Sequence, residues 1–202
     1  MAAEIGMDSI LQVVPYYNKP CKDGIYNHFR AIADSTSLPI MLYNIPGRTC
    51  INMETDTVKK CAEITNIVAI KEAAGNLEQM KAFRAATPID FHIYSGDDGL
   101  TLDFMKEGAS GVVSVASHIA GAQIDAMIQA YQSGDIHKAT ELNTLLTPLF
   151  DVLFITSNPV PVKTALKLIG FDCGTVRPPL MSITEAQKQQ VETVLDAFFE
   201  SI

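Results

Sequence analysis

Short β-branched runs alternate with stretches of helical spacing through the first half of the chain. Ile10-Leu11-Gln12-Val13-Val14 reads as a strand, and Gly24 to Ser35 sets Ile25, Phe29, Ile32 and Ala33 on one helical face. Pro39-Ile40-Met41-Leu42-Tyr43 predicts a second strand, and Glu54 to Ala62 a helix with Val58 and Cys61 or Ala62 inward. Strand Ile67 to Ile70, helix Leu77 to Ala86, strand Asp90 to Tyr94 and helix Gly99 to Glu107 follow, and Gly111-Val112-Val113-Ser114-Val115 reads as a fifth strand. Five βα units with mostly continuous apolar runs predict strands buried on both faces, in a parallel sheet wrapped by helices.

Beyond that the pattern is helical only. Ile124, Met127, Ile128 and Tyr131 follow i, i+3, i+4, i+7, with Gly134 placed as a stop. Leu142, Leu145, Leu146 and Leu149 repeat the spacing, and Pro148 is expected to kink or end that helix. Asn158-Pro159-Val160-Pro161 reads as a rigid connector into a helix from Val162 to Ile169. A last helix opens near Thr184, with Gln187 completing a capping box, and buries Val191, Val194, Leu195 and Phe198. The expected organisation is partial-barrel βα units over 1–134 and a helical region over 135–202.

Composition narrows the function classes. The chain has 202 residues, 48% hydrophobic and 19% charged, which suits a globular core rather than disorder. A formal net charge of -8 with no basic run argues against nucleic acid and anionic membrane surfaces as partners. Cys21, Cys50, Cys61 and Cys173 lack C-x-x-C spacing, and His28, His92, His118 and His137 form no ligand pattern, so reduced thiols, no metal and a cytoplasmic location are expected. No apolar stretch is long enough for a membrane span, and Met1-Ala2-Ala3-Glu4-Ile5-Gly6 lacks the regions of a signal peptide.

The chemistry gathers at the C-terminal ends of the strands, where βα barrels place their catalytic groups. Lys71 closes the run Ile67-Val68-Ala69-Ile70, and a buried strand feeding an amine lowers its pKa towards Schiff-base nucleophilicity. Read alone, Lys71 also fits a lysine snorkelling past a strand end. The other ends carry Tyr16-Tyr17-Asn18, Tyr43-Asn44-Ile45-Pro46-Gly47-Arg48-Thr49, Ser95-Gly96-Asp97-Asp98 and Ser114. Each has an ordinary reading too: Tyr16 and Tyr17 as interface aromatics, Tyr43 as barrel-end filler, Arg48 as a surface cation, and Asp97 and Asp98 as caps of the next helix. Together they suit a keto acid condensed with a lysine, a tyrosine carrying protons, and an arginine gripping the carboxylate of an aldehyde. That is metal-free aldolase chemistry.

Pro15-Tyr16-Tyr17-Asn18-Lys19-Pro20, Tyr43 to Thr49, Ile70-Lys71-Glu72-Ala73 and Tyr94-Ser95-Gly96-Asp97-Asp98 closely resemble the dihydrodipicolinate synthases, now called 4-hydroxy-tetrahydrodipicolinate synthases. The resemblance runs over essentially the whole chain. It implies an α/β chain, a partial (β/α)8 TIM barrel followed by a C-terminal helical block. It also implies a lyase of lysine and diaminopimelate biosynthesis, with pyruvate and L-aspartate 4-semialdehyde as substrates and no cofactor. Lys71 matches the Schiff-base lysine, Tyr43 the proton-relay tyrosine, and Tyr17 the tyrosine inserted by a neighbouring subunit to complete that relay. Arg48 matches the arginine that binds the semialdehyde, Val113 a strand-end position beside the lysine, and Tyr16 the aromatic near the lysine-inhibitor pocket. Gly47-Arg48 argues against the sialic acid lyase branch. The family is implied to assemble as dimers or tetramers.

Length departs from the pattern, since a complete barrel needs about 250 residues. Aligned on these motifs, the chain is expected to begin inside the third barrel helix, with Glu4-Ile5-Gly6 as its tail, and to lack the family's Gly-Thr-Thr-Gly-Glu loop. Open sheet edges and little activity of the isolated chain are therefore expected, with a complementing N-terminal half as a possible partner. A non-catalytic interaction protein or a related pyruvate aldolase are the alternative readings.

Overall fold

A computed structural model describes residues 2–202; Met1, at the head of the stretch inspected for a signal peptide, lies outside the described residues. The chain divides into two compact units, 1–113 and 114–202.

The first unit holds a five-stranded parallel sheet in sequential order: β1 (Ile10–Val13), β2 (Ile40–Asn44), β3 (Ile67–Glu72), β4 (His92–Ser95) and β5 (Gly111–Val112). Between them run α1 (Lys22–Asp34), a four-residue α2 (Pro46–Thr49), α3 (Thr55–Ala62), α4 (Leu77–Ala86) and α5 (Thr101–Lys106). All five predicted strands are present, the fifth shorter than expected. The helix α2 is new: Pro-Gly reads as a turn, and four residues are too few to show a period.

Burial in this unit is one-sided, which corrects the expectation of strands buried on both faces. Ile40, Leu42, Ile70 and Ile93 form one core with Phe29 of α1, Val58 and Cys61 of α3, Met80 and Phe83 of α4, and Phe104 of α5. Fully burying each of these aromatics contributes roughly 1.5–3 kcal/mol, so the helices are fastened to that face. On the other face Leu11 is 49% exposed, and Met41, Tyr43, Lys71 and Tyr94 are half-buried. Apolar runs conceal this alternation because both faces carry hydrophobic residues.

The β2–β3 pairing contains one irregularity. Ile40 pairs with Ile67 but Met41 pairs with Ala69, so Val68 is an extra residue on β3 and is 36% exposed. β1 and β5 are the sheet's edges among the described residues.

The second unit contains α6 (Ser117–Gln132, broken at Ala120), α7 (Ile136–Val152), α8 (Val160–Leu168) and α9 (Glu185–Glu200). Of the two outcomes expected at Pro148, a kink or an end, the end does not occur: Leu146, Leu149, Phe150 and Val152 are buried on both sides of it, and this packing carries the helix through the lost N–H. α8 begins two residues earlier than predicted because Pro161 is accommodated in the first turn, where its missing N–H costs nothing. The capping box on α9 forms as expected: Thr184 Oγ1 accepts from the Gln187 N–H at 3.3 Å, and the Thr184 N–H donates to Gln187 Oε1 at 3.1 Å. Val194 is only half-buried, whereas Val191, Leu195 and Phe198 are buried. Among the described residues no helix is long and apolar enough to cross a membrane.

Candidate active site

Partners in register on parallel strands point to the same side of the sheet, so the pairing decides which side chains meet. Lys71 on β3 is paired with Tyr43 on β2 and with Tyr94 on β4. The Lys71 Nζ stands 4.6 Å from the centre of the Tyr43 ring, within cation–π range.

Burial pushes the Lys71 amine below the usual lysine range, against an upward pull from the charge of Asp98. Desolvation wins, and the fraction of free, nucleophilic amine at neutral pH rises. Burial likewise pushes the Tyr43 phenol up, with the Arg48 charge drawing it back. A phenol held protonated beside an amine can give and take a proton as the amine attacks a carbonyl.

The room for Lys71 comes from Gly96, just beyond β4. A Cβ there would meet Ala73 Cβ at 2.6 Å, Lys71 Cε at 3.0 Å and the Glu72 carbonyl oxygen at 3.1 Å. The Gly96 N–H donates to that same carbonyl at 2.7 Å, so the glycine backbone lies directly against β3. Asp97 does not cap α5 as expected. Asp97 Oδ1 accepts from the Gly99 N–H at 2.9 Å, a turn within the loop, and Leu100 occupies the cap position without a side-chain bond.

Arg48 sits on α2, directly after β2, exposed but close enough for its charge to act on Tyr43. Val113 continues β5 by donating its N–H to the Ser95 carbonyl at 2.9 Å. Tyr17 is not brought to the pair. It lies in the loop after β1, 93% exposed, with φ of 64°, a left-handed conformation that disfavours a residue with a Cβ. Tyr16 beside it is 64% exposed.

Behind the site lies a buried polar cluster that sequence reading missed. Glu72 and Asn44, both fully buried, follow Lys71 and Tyr43 on their strands and face the helix-covered side. Asn44 Nδ2 donates to Glu72 Oε2 at 2.9 Å, and the Ala74 N–H donates to Glu72 Oε1 at 2.6 Å. The available signal was phase: in Ile40-x-Leu42-x-Asn44 and Ile70-x-Glu72 a polar residue falls in the buried set.

A model of the dihydrodipicolinate synthetase family matches residues 1–198. The 4-hydroxy-tetrahydrodipicolinate synthase of Desulforudis audaxviator is 52% identical over 194 residues, 96% of this chain and 66% of that protein. The chain thus spans about two thirds of the length of the curated relatives it matches. A crystal structure of the enzyme from Cyanidioschyzon merolae with lysine bound superposes with a TM-score of 0.96 at 50% identity, covering 98% of this chain and 67% of the other. The chloride-inhibited dihydrodipicolinate synthase from Acinetobacter baumannii, complexed with pyruvate, superposes with a TM-score of 0.94 at 38% identity, covering 98% and 68%. With a family model matching residues 1–198, and a relative 52% identical over 96% of its length, the chain belongs to the dihydrodipicolinate synthetase family.

Proposed function

We propose that this chain carries the Schiff-base centre of a 4-hydroxy-tetrahydrodipicolinate synthase-type lyase, acting on pyruvate and L-aspartate 4-semialdehyde. The observation that carries the reading is the desolvated Lys71 amine facing the Tyr43 ring at 4.6 Å. The amine attacks the ketone carbon of pyruvate, the carbinolamine loses water, and the methyl carbon gives up a proton to form an enamine. The enamine carbon then bonds to the aldehyde carbon of the second substrate. Tyr43 moves the protons, and Tyr17 from a second copy of the chain completes the relay. Arg48 grips the carboxylate of the semialdehyde, and the backbone at Val113 flanks Lys71. The names of the relatives and the pyruvate in the Acinetobacter baumannii complex support the substrate assignment.

The 202-residue chain by itself is proposed to turn over slowly. Its sheet ends in edge strands β1 and β5, Leu11 on β1 is 49% exposed, and a Gly-Thr-Thr-Gly-Glu sequence does not occur in it. A second copy, or a segment supplying further strands beside β1, is the proposed partner.

The test is intact-mass spectrometry after incubation with pyruvate and borohydride, with peptide mapping. A reduced pyruvate adduct on Lys71 supports the enzyme reading. No adduct on a chain shown to be folded favours an interaction protein of the same family.

A further inference from the structure

The buried cluster behind Lys71 connects the elements that carry Tyr43, Lys71 and Arg48. Asn44 follows Tyr43, Glu72 follows Lys71, and Asn52 and Met53 lie in the loop that leaves α2, which carries Arg48. Asn44 Nδ2 donates to Glu72 Oε2 at 2.9 Å and to Asn52 Oδ1 at 2.8 Å, while Asn44 Oδ1 accepts from the Met53 N–H at 2.9 Å. At the exposed end Asn52 and Gln79 exchange two hydrogen bonds of 2.8 Å, and the Gln79 N–H donates to Asn76 Oδ1 at the start of α4.

Donor and acceptor accounting fixes what residue 72 must be. Asn44 Nδ2 and the Ala74 N–H both present hydrogens to it, on different oxygens. Asn44 is unable to flip without losing the Met53 bond, because its oxygen is committed there. An acceptor on both branches is therefore required, which an ionised carboxylate supplies and an amide does not. Burial pushes the Glu72 carboxyl above the usual carboxylate range, and the donors of Asn44, Ala74 and Gln79 offset part of that. Protonated, it would carry a hydrogen that neither Asn44 Nδ2 nor the Ala74 N–H can accept. A buried carboxylate without a cation in its cluster is costly to keep, and leaving any member unsatisfied costs more.

We propose that Glu72 is a positioning residue, the buried acceptor that pins the ends of β2 and β3 and the loop after α2 so that Lys71, Tyr43 and Arg48 hold their mutual places. It touches no reacting atom, since it faces the opposite side of the sheet from Lys71. The proposal deepens the lyase reading and rests on it for the meaning of the site, though its geometric core is testable without turnover.

The experiment compares the wild-type chain with Glu72→Gln and with the double variant Glu72→Gln, Asn44→Asp. The double variant exchanges donor and acceptor across the pair, and rotation of the Asn52 and Gln79 amides satisfies the remainder. Circular dichroism and thermal melts report folding. The readout is competitive acetylation of Lys71 against pH, quantified on its peptide, alongside the borohydride-trapped pyruvate adduct.

In folded Glu72→Gln the Lys71 profile moves to higher pH as the amine leaves its desolvated position, and labelling at neutral pH falls about tenfold for each unit moved. The adduct falls with it, and the double variant restores both. An unchanged profile in Glu72→Gln, or a folded double variant that stays shifted, overturns the proposal. Should Glu72→Gln fail to fold, Asn52→Ala, which removes one acceptor at the exposed end, is read in its place. A shift in the same direction supports the proposal, and an unchanged profile overturns it. A wild-type chain that labels at Lys71 but forms no pyruvate adduct counts against the lyase reading alone.

Discussion

Gly96 and Lys71 share one small volume: a Cβ on the glycine would stand 3.0 Å from Lys71 Cε and 2.6 Å from the Cβ of Ala73. Ala73 and the Glu72 carbonyl belong to the rigid end of β3 and its first loop residue, so the lysine is the atom set most able to move. Gly96→Ala is expected to cost about 1–3 kcal/mol, the range of an overpacked core site, and to displace the amine. A thermal melt gives the first quantity. Loss of the trapped adduct in a chain that still melts cooperatively gives the second.

The confined amine makes stability depend on pH in a definite direction. The Lys71 pKa is lower in the folded chain than in the unfolded one, so between those two values the unfolded state binds more protons and stability rises with pH. The cost is complete below the folded value and vanishes above the ordinary value of about 10.4. Lys71→Met should therefore stabilise the chain at neutral pH by about 0.5–2 kcal/mol, with the gain shrinking as pH approaches the ordinary value. Denaturant midpoints for both proteins across that range check it. A gain that grows with pH would contradict the sign.

Four thiols with different surroundings give a clean ordering. Cys21 and Cys50 are exposed, Cys173 is half-buried, and Cys61 is buried with its thiol pushed up to about 12. With a chromogenic disulfide at mildly alkaline pH, Cys21 and Cys50 should react fastest and Cys173 more slowly. Cys61 should react only after denaturation, because both access and thiolate are lacking. Early labelling of Cys61 would mean that α3 opens from the core.

Tyr17 keeps a left-handed backbone, which costs a residue of this kind on the order of 1–3 kcal/mol, while its ring is 93% exposed. Burial of that ring in a second copy would offset the cost. Sedimentation should then show an assembly in the wild-type chain that shifts towards monomer in Tyr17→Ala. Identical profiles would count against the interface role.

The strands were readable because each run of β-branched residues is short and followed by a helical period. The capping box on α9 was readable because Thr184 and Gln187 are local. Lys71 and Tyr43 could be placed at strand ends, yet their meeting depends on register, which hydrophobicity leaves open when both faces are apolar. Pro148 does not end its helix because packing around Leu146 and Leu149 outweighs one lost hydrogen bond. The Asn44–Glu72 contact joins residues 28 positions apart, and no periodicity reports a bond of that separation.

The bulge that loops out Val68 preserves the reading frame of the whole site. Had the pairing of Ile40 with Ile67 continued unbroken, Lys71 would stand level with Asn44 instead of Tyr43, its amine turned under the helices into the apolar core. Looping out this one position therefore keeps what would be a buried, disruptive cation available as a nucleophile. Anyone grafting this lysine–tyrosine pair onto another parallel sheet must either loop out the extra position or leave it out, and a family member that kept the extra residue but paired it into the ladder would keep its motifs while losing its chemistry.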